Sequence, residues 1–182
     1  RRGSPRPRSR ATASSFWAFV NAQIMEQGVN ILRRILIEPP KGILLLGVQG
    51  GGKSLAADFR PPSSGGETGP YYDTLVETVQ TVMKEAGDHF PELAGRRLLL
   101  SGLGWHQGWN DRINQTFNDA YAENLANFIR DIRKALDAPG LPFVIAETGM
   151  SGPDEKHPRA LSLMAAQASV AELVEFKNDV AF

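Results

Sequence analysis

Leu98-Leu99-Leu100-Ser101-Gly102-Leu103, running into Gly104-Trp105-His106-Gln107-Gly108-Trp109-Asn110-Asp111, is the stretch on which the fold turns. The first half is a short apolar run of the kind that forms a buried parallel strand. The second half is a polar, aromatic, glycine-containing loop leaving that strand. Two other runs read the same way: Ile43-Leu44-Leu45-Leu46, bounded by glycine, and Phe143 to Ala146. Amphipathic stretches lie among them. Tyr72 to Ala86 puts Leu75, Val76, Val79, Val82 and Met83 on one face, and Tyr121 to Leu136 turns Leu125, Phe128, Ile129, Ile132 and Leu136 inward. Arg159 to Leu173 reads as a last helix, with Pro158 just upstream. Residues 16–37 also read as a helix, with Phe16, Val20, Ile24, Ile31 and Ile35 at helical spacing and a stop at Pro39-Pro40. Strands alternating with helices predict an α/β protein: a parallel sheet covered on both faces, in a three-layer α/β/α sandwich. Ligands bind such sheets beyond the carboxyl ends of the strands, where segments 47–54, 104–111 and 147–152 emerge.

Composition narrows the functions. The chain has 182 residues, 20 Lys plus Arg against 20 Asp plus Glu, and no cysteine. A general basic field for nucleic acid is absent, and so are disulfides, cysteine-zinc sites and a thiol nucleophile. The five arginines among the first ten residues read as a disordered basic tail over 1–15. No apolar run is long enough for a membrane span, and the start lacks the shape of a signal peptide. The compartment stays open.

Gly47-Val48-Gln49-Gly50-Gly51-Gly52-Lys53-Ser54 fits the phosphate-loop pattern G-x-x-x-x-G-K-[ST] behind a predicted strand. In that reading Gly47 and Gly52 let backbone N–H groups face phosphate, Lys53 reaches the outer phosphates and Ser54 holds magnesium. With its lead-in from Glu38 to Leu46, the stretch over about 31–57 resembles the start of an AAA-type ATPase. Against this, Arg60-Pro61-Pro62-Ser63-Ser64-Gly65-Gly66 breaks the helix that should follow Lys53, and no strand ends in paired acids. A rival reading takes Gly52, or Gly51, as a backbone N–H donor to an oxyanion, with Lys53 a loop lysine. A glycine-rich turn without a ligand is the plain structural alternative.

The loop Trp105 to Asp111 matches the G-x-N-D block of SGNH hydrolases at Gly108, Asn110 and Asp111, and its W-x-Q-G resembles the sialate O-acetylesterase and acetylxylan esterase group. Gly51-Gly52-Lys53-Ser54-Leu55 with Asp58 to Gly66, Tyr121 to Arg133, Leu141 to Gly149 and Glu172 to Phe182 resemble the same group. The likeness covers about 51–182, leaving 16–50 as an N-terminal helix and strand of uncertain origin. It implies an incomplete SGNH-like, flavodoxin-like fold and an O-acetyl ester of a carbohydrate as substrate, with no metal or organic cofactor. It implies further that Gly52 and Asn110 hold the oxyanion, that Gln107 orients the loop or touches substrate, and that Trp105, His106 and Trp109 contact a sugar. The bland alternative makes the tryptophans core residues and Asn110 or Asp111 a helix cap.

The group's nucleophilic serine sits in a G-x-S motif after the first strand, and no such match occurs. Ser54, Ser63, Ser64, Ser101 and Ser151 lack that context. Asp154-Glu155-Lys156-His157 has the D-x-x-H spacing of the group's base and its orienting acid, making His157 the candidate base. The expectation is a carbohydrate O-acetyl esterase-like domain, weak or inactive for want of the serine. Nucleotide binding through Lys53 and a non-catalytic carbohydrate-binding module are the alternatives.

Overall fold

The computed structural model describes residues 14–21, 43–49 and 51–182. Five parallel strands form one sheet: β1 (Ser14–Asn21), β2 (Ile43–Gln49), β3 (Leu98–His106), β4 (Phe143–Ile145) and β5 (Val180–Ala181). Their order is β2-β1-β3-β4-β5, the flavodoxin-like doubly wound arrangement. The helices are α1 (Pro70–His89), α2 (Trp109–Ile113), α3 (Gln115–Asp119), α4 (Tyr121–Ala135) and α5 (Pro158–Ala171). The α/β expectation holds, and the three anticipated strands and three long helices all form.

Residues 14–21 correct the helix read over 16–37. They are an interior strand, pairing with β2 from Ser15↔Ile43 to Asn21↔Gln49 and with β3 from Ser14↔Leu98 to Asn21↔His106. Periodicity alone cannot separate a short apolar run from a buried helix, and Phe16-Trp17-Ala18-Phe19-Val20 carries the aromatic and β-branched bias of strands. The remainder of that segment, 22–37, lies outside the described residues, as do residues 1–13 of the tail expected over 1–15, whose last two residues, Ser14 and Ser15, instead begin β1.

Strand pleating decides the core. Leu103 and Trp105 of β3, Phe143 and Ile145 of β4 and Val180 of β5 alternate onto one face and are buried. Leu75 and Val79 of α1, Leu125, Phe128, Ile129 and Ile132 of α4, and Leu163 and Val170 of α5 pack against them. The amphipathic faces read from sequence are thus the ones that meet the sheet. Between them, Gly104, Val144 and Ala181 point to the opposite face, where Val144 is exposed. Among the described residues no helix is long and apolar enough to cross a membrane.

Candidate functional site

β1 lies between β2 and β3, and the chain turns one way from β1 to β2 and the other way to β3. Ligands collect beyond the carboxyl ends of the strands at such a reversal. Register puts Asn21, Gln49 and His106 side by side at that edge. The loop after β2 (51–61) and the loop and short helix after β3 (107–113) leave it together.

A buried carboxylate holds those two loops in place. Asp111 is fully buried and accepts the N–H of Leu55 at 2.9 Å and of Ala56 at 3.0 Å, and the Nε2 of Gln107 at 2.5 Å. The same Gln107 Nε2 donates to the carbonyl of Lys53 at 3.0 Å. Burial, the largest influence, pushes the Asp111 carboxyl above the usual carboxylate range, against the pull of its three donors. Gln107 is itself 1% exposed, and its Oε1 has no partner. Its orientation is nonetheless fixed. A flipped amide would set that oxygen against two acceptors, Asp111 and the Lys53 carbonyl.

Behind the clamp, Tyr121 Oη donates to the Gln107 carbonyl at 2.7 Å and accepts from Trp105 Nε1 at 3.1 Å. Gln167 Nε2 donates to the same carbonyl at 2.9 Å, while its Oε1 accepts from the N–H and hydroxyl of Thr148, each at 3.1 Å. Gly108 lets this loop press against α5: a Cβ there would stand 2.6 Å from both Leu163 Cδ2 and Thr148 Cγ2. In front of the clamp, the Asn110 side-chain amide donates to the carbonyl of Gly52 across the two loops. Gly52 adopts φ +68°, a left-handed conformation that costs glycine little. The two residues expected to serve an oxyanion are therefore brought into contact.

Other expected residues fall elsewhere. Trp105 is 1% exposed, edge-on to Phe59 at 5.3 Å and tilted on Phe128 at 4.5 Å, so it offers no ring to a sugar. Trp109 is 42% exposed, with the Arg112 guanidinium 4.0 Å from its ring centroid. His106 is exposed at the end of β3. His157 caps α5: its Nδ1 accepts the N–H of Arg159 at 3.2 Å, while its own N–H donates to Glu155 at 2.7 Å. A ring nitrogen that accepts a backbone N–H carries no proton to give an orienting carboxylate, so Asp154 and His157 are not joined as a dyad here.

The phosphate-loop reading is corrected. Gly47 lies within β2, and Gly50 is outside the described residues. No helix starts at Lys53; residues 51–52 and 55–59 form turns. Lys53 Nζ pairs with Asp58 at 3.1 Å and lies 4.9 Å from the Tyr71 ring centroid. The Ser54 hydroxyl donates to Asp58 at 3.0 Å and accepts from Ala57 N–H at 3.2 Å. Burial raises the Asp58 carboxyl, but Ser54 and Lys53 together hold it below the usual range. The N–H groups of Leu55 and Ala56, which a phosphate would need, are spent on Asp111. Ser54 is also 3% exposed, which removes it as a nucleophile.

After β1 the sequence runs Ala22-Gln23-Ile24-Met25, and no serine, threonine or cysteine occurs from 22 to 42. Sequence reading named Asp111 only as a motif member or cap. Its role as the clamp depends on partners 55 and 56 residues away, and Tyr121 and Gln167 carried no local signal at all.

The family model described as carbohydrate esterase, sialic acid-specific acetylesterase matches residues 26–178. It runs across 31–57 and gives the ATPase-like lead-in no support. Two solved structures share the fold. A protein from Arabidopsis thaliana matches with TM-score 0.54 and 17% identity, over 79% of this chain and 50% of that one. A carbohydrate acetylesterase from Xanthomonas citri matches with TM-score 0.56 and 16% identity, over 85% of this chain and 32% of that one. The chain thus spans half the length of the first and about a third of the second. No curated protein matches it.

Proposed function

This chain belongs to the sialic acid-specific acetylesterase family of carbohydrate esterases, and we propose that it recognises the acetyl ester of an O-acetylated sugar through Asn110 and Gly52 while hydrolysing it poorly. The observation that carries this reading is the Asn110 to Gly52 contact at the reversal point of the sheet. An amide NH₂ has two protons. One goes to the Gly52 carbonyl, which aims the other outward, toward a carbonyl oxygen lodged beside the loop. The Gly52 N–H is the second donor in this reading. Donors fixed before a ligand arrives are the requirement for stabilising negative charge on an attacked carbonyl.

Attack itself needs a nucleophile, and the stretch after β1 provides no serine. Donors without a nucleophile bind an ester and polarise it but form no acyl-enzyme. The test is hydrolysis of p-nitrophenyl acetate, with a fluorophosphonate label mapped by mass spectrometry. The expected result is no labelled serine and a rate equal to that of Asn110→Ala. A labelled serine, with turnover lost in Asn110→Ala, would overturn the poor-hydrolysis half of the proposal and leave the acetyl site standing.

A further inference from the structure

Resting on that acetyl site, we propose that Gln167 is a positioning residue for it: this buried amide of α5 fixes the Gln107–Gly108 peptide from which α2 starts, and with it the direction of the Asn110 side chain. The loop after β4 thereby becomes a third support of the site, beside the loops after β2 and β3. The starting observation is a polar residue in an apolar stripe. Leu163, Gln167 and Val170 share one face of α5 at helical spacing, and all three are buried. Gln167 is 0% exposed where the pattern calls for another aliphatic side chain. An amide in such a place is costly unless its polar atoms are met. Here they are met by two loops. Oε1 accepts the N–H and hydroxyl of Thr148, and Nε2 donates to the Gln107 carbonyl.

That carbonyl governs α2. Tyr121 Oη, at the start of α4, and Gln167 Nε2, from α5, converge on it at 2.7 and 2.9 Å and occupy both of its lone pairs. One donor lets a peptide plane swing about a single bond, whereas two donors from separate helices hold it. The next residue, Gly108, anchors the helix: its own carbonyl accepts the N–H of Arg112 at 2.9 Å. Asn110 stands two residues beyond it, so a turn of this peptide is carried into the Asn110 side chain and off the Gly52 carbonyl. Asp111 holds the inner side of α2 to Leu55 and Ala56, a hold about which α2 pivots unless its start is fixed as well. Hydrogen bonds weaken steeply as their angles open, so a small pivot suffices to misdirect the Asn110 amide.

Three variants test this, each read in two ways: by the NMR signals of the Asn110 side-chain amide in the free protein, and by calorimetric affinity for an O-acetylated sialic acid against its deacetylated form. Gln167→Met keeps the length of the side chain and leaves the Tyr121 bond in place. It should shift the Asn110 amide signals and cut the advantage of the acetylated sugar by on the order of tenfold, the worth of one neutral hydrogen bond. Thr148→Val removes one of the two donors to Gln167 and touches neither Gln107 nor Asn110. It should have the same effects to a smaller extent, and it carries the test if Gln167→Met does not fold. Val170→Ala, on the same buried face of α5, is the control. It should lower the melting temperature by opening a cavity, yet leave both readouts at their wild-type values. Unchanged Asn110 signals and an unchanged acetyl advantage in Gln167→Met and Thr148→Val would overturn the proposal, and so would an equal change in Val170→Ala. A wild type that binds both sugars alike, with Asn110 signals that still move in Gln167→Met, would reject the acetyl site while leaving the hold of Gln167 on Asn110 in place.

Discussion

Asp111→Ala is expected to cost about 3–5 kcal/mol in urea unfolding, a large share of the stability of an ordinary domain. The loss has two parts. The Leu55 and Ala56 N–H groups and the Gln107 amide would be left without an acceptor in a place water does not reach, and each unmet donor costs about 1–3 kcal/mol. The alanine would also leave a void where the carboxyl stood. Asp111→Asn separates these effects, since it restores the volume but brings its own N–H₂ to a point where three donors already converge. It should recover part of the loss and no more. A loss under about 1 kcal/mol for Asp111→Ala would show that the two loops hold together without the clamp.

Trp105→Ala is expected to cost about 3–5 kcal/mol, with Trp109→Ala as its control at within about 0.5 kcal/mol. Both tryptophans sit in one loop motif, but their surroundings differ. Trp105 wedges between Phe59 and Phe128 and gives its N–H to Tyr121, the hydroxyl that also supports the Gln107 carbonyl. Removing it opens a cavity and unsettles that support. Trp109 is exposed and loses only its contact with Arg112. Equal losses for the two variants, read by urea denaturation, would contradict the division between a core tryptophan and a surface one.

The contrast between the two tryptophans shows what sequence could convey. Trp105 follows Leu103 by two residues, so strand alternation continued through Gly104 would have placed it in the core. Ending the strand at Leu103 left a core position for the tryptophans only as the alternative to sugar contact. β3 and β4 were legible because each is a short apolar run, and α1, α4 and α5 because their apolar faces repeat at helical spacing. β1 was not: its apolar run also fits a helix, and pairing on both edges decided the matter. Gly47 to Ser54 matched a phosphate loop locally, whereas Asp111, the acceptor that takes up the N–H groups of Leu55 and Ala56 just beyond it, is brought there by the fold from 55 and 56 residues away. His157 had the right spacing from Asp154 but stands directly before Pro158 at a helix start, where a side-chain acceptor is taken up as a cap.

The measurement closest to the central claim is the NMR signal of the Asn110 side-chain amide, assigned by its disappearance in Asn110→Ala, during titration with an O-acetylated sialic acid and separately with the deacetylated sugar. One of the two amide protons should shift on addition of the acetylated sugar, the proton bound to the Gly52 carbonyl should hold its place, and the deacetylated sugar should move neither. An Asn110 amide that ignores both sugars, or responds equally to both, would contradict an acetyl-binding site built from Gly52 and Asn110.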